Sequence, residues 1–257
     1  MDKIISIAIL AIIAGFGGAY TLGQDKYIGF KGGVSIPRLS GGGNHELTRD
    51  YKSRTAATFG IFADIGIRKR FSIQPEINYA GHGGKRNGIQ PVPVPITGLP
   101  PLPSGFYYYA NFKNTAVLNY LEIPVLIKYR LSAGSAKRFY IYGGAFYGRL
   151  LNAHTLTSGS STIYIDRNGT PLLIPPLNQP LPPMPFNAKT DIKSELRPNN
   201  FGVTGGGGIE FPRGSNYFFA DVRVAYGLTV IQKDTITNGS SHTGNLVISV
   251  GYAFKWK

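Results

Sequence analysis

Asn119-Tyr120-Leu121-Glu122-Ile123-Pro124-Val125-Leu126-Ile127-Lys128-Tyr129 alternates between two chemistries. Its odd positions from Leu121 to Tyr129 are apolar, and its even positions include Glu122 and Lys128. Period two marks a strand with unlike faces. In a soluble sheet the polar face meets water and the apolar face a core. In a membrane barrel the apolar face meets lipid and the polar face lines the lumen. The rest of the chain decides between them.

Seven further segments alternate in the same way. Tyr27 to Ile36 sets Ile28, Phe30, Val34 and Ile36 against Lys31 and Ser35. Thr58 to Ile67 sets Phe59, Ile61, Ala63, Ile65 and Ile67 against Phe62 and Asp64. Phe71 to Tyr79 sets Phe71, Ile73, Ile77 and Tyr79 against Ser72, Gln74, Glu76 and Asn78. From Phe139 to Tyr147, Tyr140, Tyr142 and Phe146 fill the second face. Phe201 to Phe211 opposes Phe201, Val203, Ile209 and Phe211 to Thr204 and Glu210 across four glycines. Phe218 to Leu228 opposes Phe218, Val222, Val224, Tyr226 and Leu228 to Asp221 and Arg223. Leu246 to Trp256 opposes alternate apolar residues to Ser249 and Lys255. Each segment is about ten residues long, enough for a tilted strand to cross a bilayer.

The connections sort by length. Residues 68–70, 130–138 and 212–216 are short; 37–57, 80–117, 148–200 and 229–245 are long. Short turns on one side and long loops on the other are typical of outer-membrane barrels. A soluble sandwich has no reason to sort its connections. Pro75 and Pro124 fall in neighbouring segments and cannot donate to a ladder. The sequence therefore predicts a local bulge there.

Charged residues make up 16% of the 257, and there is no cysteine. The net charge of +14 is scattered, with no basic run beyond Arg68-Lys69-Arg70. This pattern argues against nucleic acid and fits anionic lipid headgroups. Lys3, an apolar run from Ile4 to Ala19 and the small, polar Thr21-Leu22-Gly23-Gln24 read as an export signal over residues 1–23. The barrel domain is then 24–257.

Gly29-Phe30-Lys31-Gly32-Gly33-Val34-Ser35, Gln74-Pro75-Glu76-Ile77-Asn78-Tyr79, and Tyr120-Leu121-Glu122-Ile123-Pro124 with Lys128-Tyr129 resemble the PorT-like outer-membrane β-barrel family of Gram-negative bacteria. Tyr140 to Gly144 and Phe201 to Phe211 continue the match. The resemblance covers the chain after the signal, apart from the long loops. It implies a role in protein secretion or cell-envelope assembly. The final segment also resembles the assembly signal of outer-membrane barrels, through Ser249, Gly251, Phe254 and Trp256. That implies insertion by the barrel assembly machinery.

The second faces collect Lys31, Asp64, Glu76, Glu122, Lys128, Glu210, Asp221, Arg223 and Lys255, including five of the 13 acids. Charges in a narrow lumen must pair, because one buried alone is costly. They are expected to form a structural ion-pair network that fills the barrel. His45, His82, His154 and His242 fall one in each long loop without metal or catalytic spacing. No catalytic, cofactor-binding or metal-binding residue is expected. Residues 91–103 and 171–185 hold 13 of the 18 prolines, together with Leu, Val and Ile. Such stretches are extended and semi-rigid. They either dock a partner protein or pack on one another and cap the barrel. Arg49, Lys52, Arg54, Lys85, Arg86 and Lys113 flank the outer loops and are placed to meet lipopolysaccharide phosphates.

The sequence thus predicts an all-β, eight-stranded antiparallel up-and-down transmembrane barrel with long external loops in the outer membrane. A non-enzymatic structural or protein-interaction role is expected. The alternatives are a hydrolase or acyltransferase with a loop-borne site, and a narrow pore.

Overall fold

The computed structural model describes residues 25–256, apart from 44, 104, 132–135 and 177. The export signal expected over residues 1–23 lies outside the described residues. Eight long strands form the wall: β1 Lys26–Ser40, β2 Ala56–Arg68, β3 Phe71–Pro91, β4 Tyr109–Arg130, β5 Arg138–Ser158, β6 Asn199–Arg213, β7 Asn216–Gly227 and β8 His242–Trp256. Each pairs antiparallel with its sequence neighbour, and β8 pairs with β1 from Lys26–Trp256 to Ser40–His242. The sheet is therefore closed. Closure leaves the wall no unpaired edge, which is what a sheet needs in lipid, where no water satisfies backbone groups. Among the described residues no helix is long and apolar enough to cross a membrane.

The outward face is inverted relative to a soluble protein. Phe30, Ile127 and Val250 are 53%, 63% and 64% exposed, and Phe59, Ile141, Val203 and Phe218 are also exposed around the ring. An apolar belt of this extent has no place in water; in lipid it is the stable surface.

The lumen is filled by matched side chains. Tyr140, Tyr142 and Phe146 on β5 lie directly opposite Gly208, Gly206 and Gly202 on β6. A Cβ on Gly206 would fall 2.2 Å from the Val222 carbonyl oxygen and 2.8 Å from the Tyr142 hydroxyl. The glycine run thus makes room for the tyrosines across the ladder.

Three strands are much longer than a bilayer requires. β3, β4 and β5 have 21, 22 and 21 residues. On β3 the outward residues are apolar through Tyr79 and then turn to Lys85 and Asn87. On β4, Leu121 to Tyr129 give way to Asn111, Lys113 and Thr115. Half of each strand therefore stands outside the membrane as a projecting sheet. The sequence reads this part as loop because its outward face loses the apolar alternation at the lipid boundary. The outer connections shrink to 41–55, 92–108, 159–198 and 228–241. Ala188–Asp191 adds a short strand to the outer half of β5.

The predicted bulge between β3 and β4 is absent. Their register is the same on both sides of Pro75 and Pro124, and only the pairing at Glu76-Ile77 and Ile123-Pro124 is interrupted. Register shifts fall instead between β2 and β3, at Gly66/Arg68 beside the short turn, and between β4 and β5, where Asn119 faces Asn152 but Tyr120 faces Leu150. In β5 Leu151 is the extra residue, and it reverses which β5 residues face outward beyond it.

Gly206→Val is expected to lower the urea midpoint of unfolding in detergent or to abolish folding, because its clash is with backbone and a packed ring. Gly205→Ala, whose Cβ meets nothing closer than 3.4 Å, is expected to stay within about 1 kcal/mol of the parent. Equal effects of the two substitutions would contradict this packing.

Candidate functional site: the lumen and the outer crown

Glu76 is the centre of the lumen. It is 1% exposed, and its two oxygens accept five hydrogen bonds. Lys31 Nζ on β1 donates at 2.7 Å, and Arg223 on β7 donates through Nη1 at 2.7 Å and Nη2 at 2.8 Å. Gln74 and Asn78, two positions away on the same face of β3, each donate at 2.8 Å. Arg223 Nε also donates to the Tyr142 hydroxyl at 3.2 Å. That hydroxyl donates in turn to Asp221 Oδ2 at 3.0 Å, and Ser249 donates to the other Asp221 oxygen. Two acids and two cations thus balance across β1, β3 and β7. The bidentate fork and the full set of donors are what a buried ion pair needs to offset desolvation.

A second cluster lies towards the short turns. Lys128 Nζ is 3.0 Å from Asp64 and 2.6 Å from Glu210. Arg130 bridges the same two carboxylates, and Arg138 Nε is 3.0 Å from Glu210. The Tyr217 hydroxyl donates to Asp64 at 3.1 Å, and Lys128 lies 4.1 Å from the Tyr140 ring centroid. Tyr27, Phe62, Tyr217, Phe219 and Ala253 pack below and close that end.

Towards the outside, His82 Nε2 lies 2.7 Å from Glu122 Oε1, with Tyr120 edge-on to the imidazole at 5.4 Å. Between this pair and Arg223 is a cavity of about 20 Å³ lined by Lys31, Asn78, Thr204 and Asn245. It has room for roughly one water. Leu118, Tyr120, Leu150, Ala153, Leu196 and Ile231 cover the outer end, drawing on two outer connections.

The two proline-rich loops pack together above the membrane. Val92, Ala110, Phe112 and Ile163 form a small core, against which Ile96, Leu99, Leu172, Leu181, Met184 and Phe186 rest. Phe186 stacks on Phe112 at 4.9 Å. Buried Arg86 bonds Gln90 Oε1 at 2.7 Å and the Glu46 carbonyl at 2.9 Å. Glu46 is 2.6 Å from Arg167 Nε and accepts from the Tyr109 hydroxyl at 3.1 Å. Partial burial pushes the Glu46 carboxyl up, but the hydrogen bonds from Arg167 and Tyr109 and the charges of Arg167 and Arg49 outweigh it. The net shift is downward.

Of the charges expected inside, Lys31, Asp64, Glu76, Lys128, Glu210, Asp221 and Arg223 meet in the two clusters, and Glu122 pairs with His82. Lys255 does not join them. Its side chain is 42% exposed at the barrel rim and pairs with Asp25 at 2.6 Å. It keeps the inward parity of Ser249, but the wall has ended where it stands. Arg130, Arg138 and His82 are the members that sequence reasoning missed. Arg130 shares the parity of Lys128 and Arg138 that of Tyr140, while His82 continues the even face of β3; each lay just past an assumed strand end. The histidines also separate. His82 is buried in the lumen, His154 lies on β5, His242 begins β8, and only His45 remains in a loop. Among the described residues no three His, Asp or Glu come together as a metal site. In the stretch that resembles an assembly signal, Gly251 leaves space for the Phe219 ring, and Phe254 and Trp256 face outward.

A closed eight-stranded antiparallel ring with an apolar exterior and a charged, filled interior defines an outer-membrane β-barrel protein. The chain belongs to the outer membrane protein beta-barrel domain family, whose model matches residues 24–232. No curated protein matches it. Among solved structures it is similar to the attachment invasion locus protein Ail of Yersinia pestis, at 13% identity and TM-score 0.36, covering 90% of this chain and 99% of Ail. It is also similar to Neisserial surface protein A, at 12% and 0.38, covering 89% and 97%. The outer membrane protease OmpT of Escherichia coli is similar at 11% and 0.35, covering 92% and 99%.

Glu76→Gln is expected to destabilise the barrel by about 3–5 kcal/mol, because Lys31 and Arg223 lose their buried countercharge. Lys255→Met is expected to leave the midpoint unchanged. Urea unfolding followed by the fluorescence of the single tryptophan, Trp256, reads both. The Glu46 contact stabilises the crown fully above the ordinary carboxylate value of about 4.3 and is lost as pH falls through its lowered folded value. Protease nicking of residues 159–198 should therefore rise in acid, and Arg167→Gln should produce the same nicking at neutral pH.

Proposed function

We propose that this chain is a non-enzymatic, non-conducting outer-membrane scaffold that holds an outward crown for another envelope or secretion protein. The observation that carries the reading is the ordered packing of both proline-rich loops on strands that run well past the bilayer. Their mutual core leaves Val94, Phe106, Leu173 and Ile174 exposed, Phe106 at 69%. An apolar, pre-ordered surface binds a partner with little ordering cost. Loop packing and partner docking, opposed in the sequence reading, are thus compatible.

The filled lumen argues against a pore. The His82–Glu122 pair lies beneath the apolar cover of Leu196 and Ile231, which argues against a loop-borne hydrolase or acyltransferase. The PorT-like resemblance supports a secretion or envelope-assembly role in a Gram-negative cell. On this reading residues 1–23 direct export, and the barrel assembly machinery inserts the chain through its last strand.

The test is affinity purification of a tagged full chain from gently solubilised outer membrane, beside a Val94→Ser/Phe106→Ser/Leu173→Ser variant. Wild type should bring down secretion or envelope proteins that the variant loses. Recovery of the barrel alone from both would remove the partner role. In planar bilayers neither should conduct; steady unitary currents would instead make the protein a pore.

A further inference from the structure

The outward side of the projecting sheet carries a cationic face, with Thr115 and Leu156 between its lysines. Lys52 forms a bridge with Lys85, each donating its backbone N–H to the other's carbonyl, at 2.8 and 2.9 Å. Lys85 is directly opposite Thr115, Thr115 opposite Leu156, and Leu156 opposite Lys189. This row therefore crosses four strands with a lysine pair at one end and a lysine at the other. Lys113 stands one row further out, opposite Asn87 and Ser158. All four lysines are exposed. Arg54 closes the row below, where its guanidinium donates to the His82 carbonyl at 2.8 and 3.1 Å. It fits against the bare backbone of Gly83, whose φ of +120° favours glycine.

Like charges directly opposite one another on a sheet are destabilising. One acid on this face offsets them only in part. Among the described residues none of Lys52, Lys85, Lys113 and Lys189 is in an ion pair. The one acid that register places there is Asp191, opposite His154. Glu46 and Asp50 are engaged by Arg49 and Arg167. The field reaches His154, whose pKa is lowered by burial and then by Lys189 and Arg54, with Asp191 opposing.

Position limits the partner. Lys85 and Lys113 share the parity of the lipid-facing residues on β3 and β4, so this side looks laterally into whatever surrounds the barrel above the lipid. From Tyr79 to Lys85, and from Leu121 to Lys113, a rise of about 3.3 Å per residue at ~40° tilt lifts the lysines ~15–20 Å above the hydrocarbon edge. Headgroups extend only about 5–8 Å beyond that edge. The layer at this height in an outer leaflet is the saccharide core of lipopolysaccharide, whose anionic groups are phosphates and sugar carboxylates.

We propose that Lys52, Lys85, Lys113 and Lys189 bind the anionic core saccharide of neighbouring lipopolysaccharide, holding the projecting sheet upright among the lipids around it. This is a lateral contact, separate from the loop tips proposed to meet a protein, and it stands whether or not that docking does.

The test uses the full chain in nanodiscs with two probes, purified rough lipopolysaccharide with a phosphorylated core and its lipid A portion alone. A Lys52→Gln/Lys85→Gln/Lys113→Gln/Lys189→Gln variant is compared, and its folding is checked by the unboiled gel shift. Wild type should bind the core-bearing probe at least ~10-fold more tightly than lipid A. The folded variant should lose that preference, and added salt should weaken it in wild type. Equal affinity for the two probes, an unchanged preference in the variant, or stronger binding to a soluble sulfated glycan than to lipopolysaccharide would each overturn the proposal. Should the fourfold variant fail to fold, Lys85→Gln/Lys113→Gln replaces it under the same criteria.

Discussion

The barrel depends on one constraint: charges enclosed by a closed sheet must be neutralised by one another. Lipid forbids an open edge, so the strands close, and eight strands enclose a space only side chains can fill. Glu76 meets the constraint by drawing Lys31 from β1 and Arg223 from β7 onto a carboxylate of β3. Asp64 and Glu210 do the same for β2, β4, β5 and β6 through Lys128, Arg130 and Arg138. β8 joins through Ser249 and Asp221. Arg223 reaches from β7 to β3 and Lys128 from β4 to β2 and β6, so these ties cross the lumen, whereas Ser249–Asp221 and Arg138–Glu210 reinforce strands already paired in the ladder. The same side chains that hold the walls together fill the space between them.

The crown follows from a different balance. Above the lipid boundary the outward residues of β3, β4 and β5 have no apolar surroundings to match, and Lys, Asn, Thr and Ser enter among them. Their inward residues still need partners. Phe112 and Ala110 find them in the proline-rich loops, and Arg86 finds them in Gln90 and the Glu46 carbonyl. The loops are ordered because they cover this second core. Extended proline segments suit that task, since they lie along a surface with few internal hydrogen bonds to satisfy.

Ser249 and Gly251 each have a packing role in the folded wall. Both belong to the stretch resembling an assembly signal. In the folded wall Ser249 holds Asp221, and Gly251 admits the Phe219 ring.

Period-two alternation determined the eight strands, their order and the inversion of polarity, because lipid on one side and a narrow lumen on the other impose opposite chemistries on successive residues. It therefore also assigned Glu76, Asp64, Lys128 and Arg223 to one side of the wall. It did not fix where strands end. Once the outward face leaves lipid the alternation disappears while the hydrogen-bonded ladder continues, so His82, Arg130 and the outer halves of β3, β4 and β5 were out of its reach. Which charges pair depends on strand tilt and on contacts across the barrel between residues as far apart as Glu76 and Arg223. The single extra residue at Leu151, which sets the outward face of β5, depends on the register between two strands. Only the closed tertiary structure decides these, because no local pattern records how far one wall of a barrel is staggered against another.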